Sequence, residues 1–209
     1  MFIKKLILIS LISLNAYALK VNITKDIPFV EVDINGENIK IQRIQDTKHK
    51  LKNSYTKTSR PTPPFNLQPF TPIKGVKTIT ELDVIEFIKE DLSENSGLLI
   101  DARMPKWYNH STIPGALNVP FSVLHKKESN HFLDQIFDVF DVEKTKDGWD
   151  FEDAQTLLIF DNGPWCQQGV TALKHLITLG YPKDKLLYYR GGMQYWQIVG
   201  LTTIKPEAR

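Results

Sequence analysis

A single cysteine, Cys166, stands in 209 residues, so no internal disulfide and no cysteine-based zinc site can form. Charge of one sign is also missing: 26 Lys and Arg face 24 Asp and Glu, a formal net charge of +2. So even a balance gives no electrostatic case for nucleic acid or an anionic membrane as partner. The apolar run from Leu6 to Leu14 is well under the roughly 20 residues a membrane-spanning helix needs. No internal repeat and no heptad pattern is present, which excludes solenoids and coiled coils. The histidines His49, His110, His125 and His131 form no metal-ligand spacing, so no metal and no cofactor are expected.

What is present begins at the amino terminus. Residues 1–18, MFIKKLILISLISLNAYA, combine a positive start at Lys4 and Lys5, the apolar run, and small residues at Ala16 and Ala18. That is the pattern of a secretory signal peptide, with cleavage expected after Ala18 and no stable membrane insertion afterwards. Removing two lysines and no acids leaves 24 charges of each sign, so the mature chain would be neutral and exported, periplasmic in a cell that has a periplasm. An odd cysteine in an exported protein points to intermolecular pairing or to a reactive thiol. The plain alternative is a buried cysteine acting as a small apolar residue.

Phe29 to Ile44 alternates apolar and polar residues on both sides of Asn35-Gly36, the strongest short hairpin signal. A hairpin over 19–44 is therefore expected, leaning on a larger unit because two strands alone are marginal in water. Residues 45–75, rich in Lys, Thr, Asn and Pro, read as a proline-rich linker packed along the domain without a core of its own. Pro61 to Phe65 within it is a conceivable recognition stretch.

A single α/β domain is expected over 76–204. Thr80 caps a helix with Leu82, Ile85 and Ile88 on one face. Short apolar strands follow at Leu98–Ile100, Ala116–Val119, Thr156–Phe160 and Leu186–Tyr189. They alternate with helices over Phe121–Phe140, with Phe132, Ile136 and Phe140 on one face, over Val170–Leu179, and around Met193–Ile198. Continuous apolar strands alternating with helices mean a parallel sheet covered on both faces. Ligands then sit at the carboxyl ends of the strands. Those ends deliver Asp101 and Arg103, then Asp161 through Cys166, then Arg190. Cys166 also lies just before a helix, where free N–H groups and the helix dipole can lower a thiol pKa.

The stretch LLIDARMPKWYNHSTIPGALNVP resembles the amino-terminal signature of rhodanese domains, an Asp-x-Arg followed by an aromatic and Ile-Pro-Gly-Ala. CQQGVT is similar to their active-site loop, and YYRGGMQYW to their closing Gly-Gly-x-x-x-Trp. The resemblance spans about Val76 to Leu201. It implies a five-stranded parallel sheet and Cys166 as the nucleophile that carries sulfur. On that reading the backbone N–H groups of Gln167, Gln168, Gly169, Val170 and Thr171 ring the thiol and stabilise an anionic persulfide. Related phosphatases have a loop one residue longer that ends in arginine; here it ends at Thr171, which disfavours phosphate chemistry.

Gln167 and Gln168 leave this loop without a cation, which disfavours thiosulfate as the native donor unless Arg103 and Arg190 supply the charge. Arg103 can equally form a structural salt bridge behind the loop with Asp101. Thr112, where rhodaneses often have histidine before Ile-Pro-Gly, reads as structural. Trp165 can wall the sulfur from water, Trp196 reads as core, and Lys106 and Trp107 as a solvated charge and a packed ring. His175 lies too far along its helix to form a Cys–His dyad. The expected function is a sulfurtransferase that moves sulfur from a small donor to a thiol, a protein acceptor or cyanide. The alternative is a non-catalytic sulfur carrier or partner-docking module, and a third possibility is an inert, structural Cys166.

Overall fold

In the computed structural model, residues 21–34, 36–125 and 132–206 are described. Residues 1–18, and with them the expected signal peptide, lie outside the described residues, as do Asn35 and His131. No helix among the described residues is long and apolar enough to cross a membrane.

The alternating run around Gly36 pairs as a hairpin of β1 (Phe29–Ile34) and β2 (Glu37–Gln42), in antiparallel register with Val32 opposite Ile39. Gly36 takes φ +83° and donates its N–H to Asp33 Oδ1 at 2.8 Å, which closes the turn. β3 (Lys77–Ile79) leads into α1 (Glu81–Phe87), where the Asp83 carboxylate accepts from the Thr80 N–H at 2.8 Å and from its hydroxyl at 2.7 Å. These bonds hold the Asp83 carboxyl below its usual range and fix the helix start. The chain continues through β4 (Gly97–Asp101), α2 (Pro105–Tyr108), β5 (Leu117–Asn118), α3 (Leu133–Val139), the small hairpin of β6 (Glu143–Lys144) and β7 (Trp149–Asp150), β8 (Thr156–Phe160), α4 (Gln168–Leu179), β9 (Leu186–Tyr189) and α5 (Gly192–Ile198).

Five strands form one sheet in the order β3-β9-β8-β4-β5, every pair parallel, as expected. Successive side chains of a strand point to opposite faces, and the two core clusters follow that period. Leu157 and Ile159 of β8 pack with α3 and α4 on one face. Leu158 and Phe160 pack with α1 and α5 on the other. The β1–β2 hairpin adds Val32 and Ile41 to this second face, so it forms part of the domain's cover.

Three expectations are corrected. Phe121–Phe140 is not one helix: a 3₁₀ turn over Phe121–Val123 and α3 are its helical parts among the described residues. Phe132 is exposed, and the buried face is Leu133, Phe137 and Phe140. Leu82 is likewise exposed, because Val84, Ile85, Phe87 and Ile88 already fill the stripe that faces the sheet. β3 and the β6–β7 hairpin are two or three residues long, too short to show a period.

Candidate active site

β8 ends at Phe160 in the middle of the sheet, and residues 161–167 lead from it into α4. The start of α5 holds this loop: Met193 and Gln194 donate their N–H groups to the carbonyls of Asp161 and Asn162, each at 3.0 Å. Gly192 makes the approach possible. Its φ is +54°, and a Cβ there would lie 2.4 Å from the Asp161 carbonyl oxygen.

Cys166 sits at the end of this loop with 3% of its surface exposed. Its N–H donates to the Gly163 carbonyl at 2.8 Å, and Asn162 Nδ2 lies 3.5 Å from Sγ. The Gln168 N–H also hydrogen-bonds the sulfur. Beside it, Asp161 is fully buried; its Oδ1 accepts from Gly163 N–H at 3.0 Å and its Oδ2 from Gly169 N–H at 2.7 Å. Burial raises the Asp161 pKa to about 6, against the lowering effect of these bonds and of one from the Cys166 thiol.

The thiol differs from the sequence-based expectation in two ways. Its pKa is pushed up to about 12, first by burial and then by the Asp161 charge, where the helix start suggested a lowered value. Desolvation outweighs the amides because the site is closed to water. The ring of inward amides is also incomplete. Gly169 N–H is taken by Asp161, and Thr171 N–H makes the helical bond to the Gln167 carbonyl at 2.9 Å, because α4 already begins at Gln168. Gln167 is exposed, Gln168 and Thr171 are half-buried, and Val170 is in the core.

Arg103 is buried and committed to Asp101, with Nε–Oδ1 at 2.9 Å and Nη2–Oδ2 at 2.6 Å. Thr112 Oγ1 donates to the same carboxylate at 2.8 Å, so Asp101, Arg103 and Thr112 form one structural cluster. Arg190 donates to the carbonyls of Gln68 and Pro69. Neither guanidinium is directed at the sulfur. Trp165 is half-buried and bonded through Nε1 to Gln194 Oε1 at 2.7 Å, while Trp196 is fully buried. Trp107, read as packed, is 38% exposed and Lys106 is exposed. His175 Nδ1 pairs with the Phe121 carbonyl, away from Cys166.

Residues outside the sequence-based set complete the site. Tyr55, on a 3₁₀ turn over Ser54–Thr56, donates from its hydroxyl to Asn162 Oδ1 at 2.8 Å and accepts from Arg103 Nη1 at 3.1 Å. A continuous chain of contacts thus runs from Asp101 through Arg103, Tyr55 and Asn162 to the Cys166 sulfur. Gln194 Nε2 holds the Tyr55 carbonyl at 2.8 Å, Gln68 N–H donates to the Pro164 carbonyl at 2.7 Å, and the Phe65 ring meets Trp165 edge-on at 5.4 Å. The segment from Asn53 to Pro69 therefore lies across the mouth of the loop and closes it. The available signal was Tyr55 as a lone aromatic in a Lys- and Thr-rich stretch.

A family model described as rhodanese-like domain matches residues 85–198. Several solved structures are similar to this chain. A protein from Bacillus halodurans is 17% identical, with 63% of this chain and 82% of that one covered and a TM-score of 0.43. A thiosulfate sulfurtransferase from Pseudomonas aeruginosa is 15% identical, covering 65% of this chain and 21% of that one, TM-score 0.45. A human single-domain sulfurtransferase is 24% identical, covering 58% and 95%, TM-score 0.39. No curated protein matches the chain.

Proposed function

We propose, from the premise that this chain belongs to the rhodanese-like domain family, that it is an exported sulfurtransferase working through a persulfide on Cys166. The observation that carries this reading is a lone cysteine, at the carboxyl end of the central strand and the start of α4, with Asn162 Nδ2 and the Gln168 N–H on its sulfur. Those two donors stabilise an anionic sulfur. The thiolate attacks the sulfane sulfur of a small donor such as thiosulfate or polysulfide. The new Sγ–S bond forms as the donor's S–S bond breaks, and sulfite or a shortened polysulfide leaves with the electron pair. An acceptor thiolate or cyanide then attacks the outer sulfur and frees the Cys166 thiolate. With the loop closed the thiol is protonated at neutral pH, so reaction requires the Asn53–Pro69 segment to admit water and donor. Export rests on the pattern of residues 1–18.

A second reading, a sulfur carrier or docking module without rapid turnover, is favoured by the burial of Cys166 under the amino-terminal extension, the hairpin and linker that precede Val76. Incubation with thiosulfate followed by intact mass measurement tests both. A gain of about 32 Da on the wild type and none on Cys166→Ser is the expected result. No gain on the wild type removes the persulfide reading; a gain without repeated transfer to cyanide leaves the carrier.

A further inference from the structure

On the outer side of Trp165 the extension and the main domain enclose a cleft of about 580 Å³. That is the size of a small-molecule site. Tyr55 and Trp165 form its wall toward the loop, and Lys50, Lys57 and Arg60 bring its charge. Among the described residues no acidic side chain lines it, and neither these lysines nor Arg60 are in an ion pair with a carboxylate.

Arg60 is the fixed cation among them. Its guanidinium lies 3.6 Å from the centroid of the Trp165 ring, next to Cys166 in sequence. Nη1 donates to the Lys57 carbonyl and Nη2 to that of Ser54 at 3.0 Å. Five N–H donors in a planar fork leave further donors free for a ligand. Cationic and preorganised, the group has no carboxylate partner among the described residues. Tyr55 separates the cleft from the sulfur, since its hydroxyl reaches Asn162 and the Asn162 amide reaches Sγ.

We propose that this cleft is the docking site of a small anionic sulfur compound bearing an oxyanion group, with Arg60 as the residue that positions it. The charge that Gln167 and Gln168 leave out of the loop is then supplied by the extension. The nature of the cargo rests on the sulfur-transfer reading; the binding of an oxyanion does not.

The test is calorimetric titration of thiosulfate into full-length Cys166→Ser, where no covalent step occurs, and into the same protein carrying Arg60→Gln or Arg60→Lys. Loss of one charge-assisted contact is expected to weaken binding about tenfold in Arg60→Gln, with partial recovery in Arg60→Lys. Sulfate serves as a second titrant: equal affinity for sulfate assigns recognition to the oxyanion, weaker affinity to the sulfane sulfur as well, and both agree with the assignment. Unchanged thiosulfate affinity in Arg60→Gln, with unchanged circular dichroism, overturns it, as does absence of binding to the parent at millimolar thiosulfate. Binding that depends on Arg60 in a protein with no turnover would sink the sulfur-transfer reading alone. Turnover with a KM indifferent to Arg60→Gln would sink the cleft alone.

Discussion

Asp161 and the Cys166 sulfur share the few donors at the start of α4, and the carboxylate holds Gly169 N–H. A side chain on residue 169 would close this arrangement, since a Cβ there would stand 3.2 Å from Asp161 Oδ2 and 3.0 Å from the Tyr188 ring. The Asp161 charge is the second cause, after burial, of the raised thiol pKa. Asp161→Asn is therefore expected to lower the Cys166 pKa and speed its alkylation by iodoacetamide at neutral pH. An unchanged rate-against-pH curve would show that burial alone sets the thiol. The same substitution has a stability signature. Asp161 is raised to about 6 in the folded chain from an ordinary 3.8. Between those values the folded state holds the proton more tightly than the unfolded state, so this group's contribution falls as pH rises through the window. The stability difference between wild type and Asp161→Asn, followed by urea unfolding, is expected to shift against the wild type from about pH 4 to about pH 6 and to stay level above.

At the scale of elements, the segment from Asn53 to Pro69 packs over the Cys166 loop, and little in its sequence announces that. Hairpin β1–β2 was legible because Asn-Gly between alternating runs is local chemistry. So were β4, β8, β9 and α4, whose runs end in Asp101, Asp161, Arg190 and Gly180. Gly180 adopts φ +104° at the helix end, as its position in the sequence suggested. Tyr55, Arg60 and Phe65 lie in a stretch without period, and their placement comes from distant partners such as Asn162, Arg103 and Trp165, which no local pattern encodes. The failed helix over Phe121–Phe140 has the same origin: spacing of four suggested a face, but the sheet is covered by Leu133, Phe137 and Phe140. Tyr55→Ala tests whether that packing closes the thiol. Burial is the first cause of the raised thiol pKa, so opening this wall is expected to bring the pKa down from about 12 toward the ordinary value near 8.5. Alkylation at pH about 8 then rises by at least tenfold, following the thiolate fraction. A rate equal to wild type would mean that some other surface excludes water from Sγ.

Taken as a whole molecule, the extension and the parallel-sheet domain share one core. Val32 and Ile41 are buried against the face formed by α1, α5 and the sheet, and Ile34 approaches Gly115 closely enough to exclude a Cβ there. The hairpin also joins the end of the domain through backbone bonds, Ile44 N–H to the Gly200 carbonyl at 2.8 Å and Thr202 N–H to the Gln42 carbonyl at 3.1 Å. Arg43 Nε adds a bond to the Val199 carbonyl at 2.7 Å. A residue such as Val32 or Ile41 contributes about 1.5–3 kcal/mol when fully buried, before the entropy of ordering the segment is subtracted. A chain beginning at Val76 loses these contacts together with Tyr55, whose departure leaves Arg103 Nη1 and Asn162 Oδ1 without their partners. Two consequences are expected. The intact chain unfolds in urea in one transition, with tryptophan fluorescence and far-ultraviolet circular dichroism coincident. The shortened chain unfolds at a midpoint lower by about 1 M or more, or does not fold. If the shortened chain keeps the midpoint of the intact one, the extension is an appendage in energetic terms, and its hold on Cys166 is too weak to keep the thiol closed.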